Sequence, residues 1–176
     1  SIFLAFQIQA KEYNVLDFGA KGDSSTINTK AIQAAIDACS KTKGKLVFPS
    51  GNYVSGTLFI KSNVNIELQE GAVLYGSNNL EDYPDIQHGM YVRAYAHHAF
   101  IYANEAHNFS ITGKGRIDGR GAHPNFNLLR ESDKRMHRPY MMQFIKCKNL
   151  RIDGIELFNP SFWLHQYLEC EDVFFH

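Results

Sequence analysis

The chain has 176 residues with 18 basic and 18 acidic side chains, so its formal net charge is zero. That balance argues against nucleic acid as a partner, because binding phosphates needs a positive field, while 44% apolar residues lift the chain out of the disordered range and suffice for one packed domain. Three cysteines, Cys39, Cys147 and Cys170, are too few for a disulfide scaffold, and no apolar run approaches the ~20 residues of a membrane span.

Ser1 to Ala10 is an apolar run closing on a small residue before Lys11-Glu12, like the end of a secretory signal. Residues 1–12 therefore read as a leader remnant or a first strand, and the parent protein is expected to be secreted or periplasmic. Tyr13 to Ala20 alternates as a strand and breaks at Lys21-Gly22-Asp23. Asn28 predicts an N-cap for a helix through Ala31, Ile32, Ala35, Ile36 and Cys39, whose spacing gives one apolar face, with Gly44 as its stop. Lys45 to Phe48 and Thr57 to Ile60 predict strands around the turn Pro49-Ser50-Gly51-Asn52, and Ile66 to Tyr75 continues with Gly71 at a corner. From about Asn78 to Ala99 the alternation fails, which reads as an inserted excursion. It resumes at Phe100-Ile101-Tyr102 and reaches Gly113 to Gly121, whose glycines are expected to supply corners with φ > 0. A second irregular stretch, His123 to Arg138, precedes Tyr140 to Ile145.

Four segments repeat one pattern: Ser62 to Ile66, His107 to Ile111, Lys148 to Ile152 and Glu171 to Phe175. Each is a polar turn residue followed by apolar–polar–apolar alternation, the signature of a short half-buried strand. Their starts at 63, 108, 149 and 172 lie 45, 41 and 23 residues apart. The last spacing fits one coil of a solenoid, and the first two fit two coils each or one coil with an inserted loop. Asn at the turn and aliphatics at alternate positions point to stacked parallel rungs, an all-β parallel β-helix, with the amphipathic helix plugging its open end. Asn63, Asn108 and Asn149 are expected at equivalent corners, their side-chain amides bonded to backbone. A solenoid needs a cap at each end, and none follows Val173-Phe174-Phe175-His176. Residues 13–176 are therefore expected to be the N-terminal coils of a longer, truncated β-helix domain.

Val15 to Asp23 with Asn28-Thr29, Val47-Phe48-Pro49 with Gly51-Asn52-Tyr53, Leu58 to Asn63, Gly71 to Leu74, Asp82-Tyr83-Pro84, Gly113 to Gly121, Arg138-Pro139 and Pro160 to Trp163 stand in an order that resembles the N-terminal half of polygalacturonase-like glycoside hydrolases, family 28. The resemblance implies a right-handed, single-stranded, pectin-lyase-like β-helix. It also implies inverting hydrolysis of a pectic polysaccharide, polygalacturonate or rhamnogalacturonan, by a monomer needing no cofactor. Such hydrolysis takes one carboxylic acid and one carboxylate ~6.5–9.5 Å apart. The family supplies them from Asn-Thr-Asp and Asp-Asp motifs, assisted by Gly-His-Gly and Arg-Ile-Lys. None of the four is present: Asn28-Thr29 precedes Lys30, no two aspartates adjoin, His88 is not flanked by two glycines, and Arg116-Ile117 and Arg151-Ile152 both precede Asp. No catalytic residue is assigned, and the carboxylates are expected in later coils. A calcium-dependent pectate-lyase-type enzyme and a non-catalytic polysaccharide-binding or structural β-helix are the rival readings.

Asp118 and Asp153 each precede glycine and read as turn chemistry. Arg130, Lys134, Arg135, His137 and Arg138 form a dense basic run that reads first as a solvated loop and second as a steering patch for a polyuronate, with Arg138 the member to keep. Trp163, His165 and Gln166 place an aromatic beside polar groups suited to a sugar, though a buried packing role is the favoured reading for Trp163. His88, His97 and His98 are too irregular for a metal-ligand set. Cys147 and Cys170 each stand three residues before their rung's first apolar residue, with Ala106 at the matching earlier position, and are expected as stacked free thiols.

Overall fold

The computed structural model describes residues 10–86, 97–127 and 138–176. The leader-like Ser1 to Gln9, His88, and Arg130, Lys134, Arg135 and His137 of the basic run lie outside the described residues. Strands β1 (Glu12–Asn14) and β2 (Asp23–Ile27) precede helix α1 (Thr29–Thr42). The chain then winds in coils of three strands. The first coil is β3 (Lys45–Phe48), β4 (Gly51–Ser55) and β5 (Leu58–Phe59). The second is β6 (Asn65–Leu68), β7 (Ala72–Gly76) and β8 (Ala99–Asn104). The third is β9 (His107–Gly113), β10 (Arg116–Asp118), the short helix α2 (Pro124–Asn127) and β11 (Tyr140–Ile145). The fourth is β12 (Lys148–Asp153), β13 (Glu156–Phe158) and β14 (His165–Leu168), and β15 (Glu171–Phe175) opens a fifth.

Every strand pairing among the described residues is parallel. Three sheets result: sheet A (β1-β3-β6-β9-β12-β15), sheet B (β2-β4-β7-β10-β13) and sheet C (β5-β8-β11-β14). The coils wind right-handed, the hand that parallel strand–crossover–strand connections adopt. The spacings of 45 and 41 residues are each one coil with an insertion. Both insertions, residues 77–98 and 119–139, leave at the corner from sheet B to sheet C, where the first and fourth coils need only residues 56–57 and 159–164.

The core is built of columns. On sheet A, Leu46, Ile66, Ile111 and Ile152 stack in register, and Phe109 pairs above Leu150, all at most 4% exposed. Below them Val173 and Phe175 continue the same columns but are 39% and 47% exposed, because no described strand lies beyond β15. Helix α1 closes the other end with Ile32, Ala35, Ile36 and Cys39 fully buried.

The corners depart from the sequence reading in detail. Asn63, Asn108 and Asn149 all adopt φ near +55 to +63°, as expected, but their amides bond to one another rather than to backbone: Asn149 Nδ2 donates to Asn108 Oδ1 at 2.8 Å and Asn108 Nδ2 to Asn63 Oδ1 at 3.4 Å. Asn28 sits at the N-cap of α1, yet its side chain accepts from Lys21 N (2.7 Å) and donates to Lys21 O and Thr26 O, pinning the preceding loop instead of the helix. The stretch from Tyr13 to Ala20 is not one strand: Asn14 accepts from Leu16 N and starts a 3-10 turn over Val15–Phe18, which Gly19 ends at φ +88°. Gly51-Asn52, read from sequence as the end of a turn, opens strand β4. In the Gly113 to Gly121 run, only Gly113 and Arg120 have positive φ; Gly121 is needed for close approach, since a Cβ there would meet Pro160 O at 2.1 Å. Cys147 and Cys170 are free thiols in one column with Ala106, as expected.

Candidate functional site

Sheet B alternates cleanly. Tyr53, Leu74, Ile117 and Leu157 face inward in register, leaving Tyr75, Arg116, Asp118, Glu156 and Phe158 on the outer face. Arg116 Nε donates to Glu156 Oε2 at 2.7 Å while its guanidinium lies over the Phe158 ring, 5.1 Å from the centroid. Arg120 lies over Tyr75 at 4.3 Å. Its left-handed backbone (φ +50°) is fixed by its own N–H, which donates to Asp118 Oδ1 at 2.8 Å. A guanidinium over a ring keeps edge N–H groups for a carboxylate, all of them at Arg120 and those beyond Nε at Arg116, and such a fork suits bidentate recognition.

Beside this face stands the corner that carries both insertions, and their bases are fastened to the coils. Ser77 Oγ bonds Asp82 Oδ2, and the buried Tyr83 hydroxyl donates to Ser77 O at 2.8 Å. Burial first, then the Asp82 charge, pushes the Tyr83 hydroxyl far above its ordinary value, so it stays a donor. Gly56 fits against Asp82 because a Cβ would lie 2.2 Å from Asp82 O. The second insertion rests on the first through Asn125 Nδ2 to Asn78 O (2.8 Å), and on the fourth coil through Ala122 N to Asn159 Oδ1 (3.0 Å). His98 Nδ1 sits 2.8 Å from Tyr83 O, and His97 Nδ1 3.0 Å from Asp85 Oδ1, so both imidazoles serve the first insertion.

The sequence candidates divide among three surfaces. Arg138 lies at this corner, where its guanidinium donates to Phe126 O and Ser161 O, tying α2 to the fourth coil. Trp163 lies at the same corner and is 62% exposed, which overturns the buried reading, and Phe162 does the packing instead, 5.1 Å from Tyr140. His165 falls in the inward column below Leu58, Ile101 and Met142, its ring 5.0 Å from Phe175 and 5.2 Å from Tyr167. Gln166 faces outward on sheet C and accepts from Gln143 Nε2 at 2.8 Å. Only Arg138 and Trp163 are brought together. Asp118 and Asp153 lie on sheets B and A, so they form no pair. Arg116, Arg120, Tyr75 and Phe158 were not singled out from sequence; their signal was the alternation Arg116-Ile117-Asp118, which puts polar groups outward around one buried isoleucine.

The sequence model of the rhamnogalacturonase A/epimerase, pectate lyase-like family matches residues 13–127. An exo-poly-alpha-D-galacturonosidase of Dickeya chrysanthemi is 40% identical over 82% of this chain and 25% of its own length. A probable polygalacturonase of Vitis vinifera is 27% identical over 92% of this chain and 35% of its own. The crystal structure of a family 28 exopolygalacturonase from Yersinia enterocolitica superposes with a TM-score of 0.79 at 27% identity, over 95% of this chain and 39% of that one. The chain thus spans a quarter to about two fifths of the length of these relatives.

Proposed function

This chain belongs to the rhamnogalacturonase A/epimerase, pectate lyase-like family, and we propose that its coils are the N-terminal part of an exported, family-28-like glycosidase that hydrolyses galacturonic-acid-containing polysaccharide with inversion. The observation that carries the reading is the outer face of sheet B, where Arg116 and Arg120 lie on aromatic rings beside the exposed Phe158 and Trp163. A polyuronate offers the two complements of such a surface: an apolar sugar face for the rings and a carboxylate on each residue for the guanidinium forks.

The acid and base belong, in this reading, to further coils stacked on the fourth. Asp118 spends an oxygen on its own turn and Asp153 is bonded to Arg151 and His176 on another sheet, whereas inversion needs two carboxyl groups facing one bond ~6.5–9.5 Å apart. The greater length of the relatives supports that reading. The test is kinetic, in the enzyme extended by those coils. Arg116→Ala and Arg120→Ala raise KM for polygalacturonate about tenfold each, the worth of one charge-assisted contact. Unchanged KM in both variants would remove sheet B from the substrate path.

A further inference from the structure

The outer face of sheet A carries a groove of about 370 Å³ that the reading above leaves unused. Two columns floor it in register: the corner amides of Asn63, Asn108 and Asn149, and the strand positions Asn65, Ser110 and Arg151. Lys43 stands at one end, where α1 finishes in a left-handed residue whose N–H caps the helix carbonyls. Among the described residues no carboxylate lines the groove; Glu12 and Glu67 are both taken up by Lys45, and Asp172 continues the corner column one rung beyond Asn149.

The floor is ordered before any ligand arrives. The ladder fixes each amide in one orientation, and Ser110 Oγ donates to Asn65 Oδ1 at 2.9 Å. Arg151 is held by Asp153 at 2.5 Å and by the Phe174 ring at 4.2 Å. An amide has two N–H donors and two carbonyl lone pairs, and the ladder uses one of each on Asn108, so every rung retains hydrogen-bonding capacity. That capacity repeats with the ~4.8 Å strand spacing, close to the length of one pyranose in an extended glycan. The volume is at the small end of the ~300–1,000 Å³ of ligand sites, room for two or three sugars.

We propose that this groove is a second carbohydrate site, separate from sheet B, which binds a short uronate oligosaccharide along the solenoid axis. Sugar hydroxyls meet the amide ladder, and carboxylates meet Lys43 and Arg151. The inference rests on sheet A geometry and not on the hydrolytic reading.

The test is a titration of the isotopically labelled chain with trigalacturonate, following the side-chain amide, arginine Nε–H and tryptophan indole N–H resonances. Those of Asn108 and Asn149 shift and saturate. Lys43→Ala weakens binding about five- to tenfold, and Ser110→Trp, which fills the groove, abolishes it. Arg151→Lys, which keeps a charge near Asp153 and so guards against loss of fold, weakens binding by a smaller factor than Lys43→Ala. Silent ladder amides, equal binding of the fully methyl-esterified trisaccharide, or shifts confined to Arg116, Arg120 and Trp163 would each overturn the proposal. The last of these would leave the sheet B reading standing, so the two fail separately.

Discussion

Asn149 donates its side-chain amide to the amide oxygen of Asn108, 41 residues earlier, at 2.8 Å, and both residues hold φ near +55°. One residue type therefore does two things at this corner: it tolerates the left-handed backbone and it binds its counterpart in the next coil. Asn108→Ala loses two ladder bonds and strains the corner, and should cost about 2–3 kcal/mol in urea denaturation. Asn108→Gly keeps the backbone freedom and should lose about 1 kcal/mol less than the alanine variant. Equal losses would show that the corner conformation costs nothing.

Gly113 and Gly19 both have positive φ, at +122° and +88°, but only Gly113 is crowded. A Cβ there would lie 2.0 Å from Leu68 O, while one on Gly19 would meet nothing within 4 Å. Gly19→Ala should cost about 1 kcal/mol from backbone strain alone. Gly113→Ala must displace the β6–β9 ladder and should exceed about 3 kcal/mol or prevent folding, which thermal melts of the two variants will separate.

Arg138 and Trp163 share a corner but should behave oppositely. Trp163 is 62% exposed, so Trp163→Ala should change stability by less than about 0.5 kcal/mol while weakening polygalacturonate binding. Arg138→Ala leaves the carbonyls of Phe126 and Ser161 without their donor and should cost about 1–3 kcal/mol. Denaturation midpoints beside binding isotherms read both.

Hydrogen bonds from Arg151, and then from His176, hold the Asp153 carboxyl below its ordinary value. A carboxylate lowered in the folded state stabilises fully above its unfolded value, ~3.9, and that contribution is lost as pH falls through the lowered folded value. Asp153→Asn should flatten the acid limb of the stability curve in that window and leave its shape near neutrality unaltered. An unchanged acid limb would contradict the pairing.

Burial raises the Cys147 thiol to about 11, and the side chain is 1% exposed. Alkylation of the native chain near pH 8 should therefore modify the half-buried Cys170 first and leave Cys147 and Cys39 protected until denaturation.

What the sequence disclosed follows from how each sheet is built. Sheet A was legible because its strands repeat two inward columns, Val64 to Leu150 and Ile66 to Ile152, after a polar corner. Sheet B was not, because its strands are short and mix glycine with arginine. Gly51-Asn52 therefore read as part of a turn, and Arg116 and Arg120 passed unremarked in a run whose glycines were expected to make the corners. Tyr13 to Ala20 misled because alternation is blind to Asn14, whose side chain captures Leu16 N and bends the chain. Trp163 was expected inside because large aromatics usually pack. Its exposure depends on what stacks around it from other coils, a non-local fact that no window around residue 163 contains.

The central claim is that these coils bind a pectic chain while the acid and base lie in further coils. Reducing-end release from polygalacturonate, measured for the purified 176-residue chain and for the same chain extended by the downstream coils, tests it most directly. The account predicts no release by the first and release with inverted anomeric configuration by the second. Turnover by the 176 residues alone, or an unsaturated eliminase product from the extended chain, would contradict it.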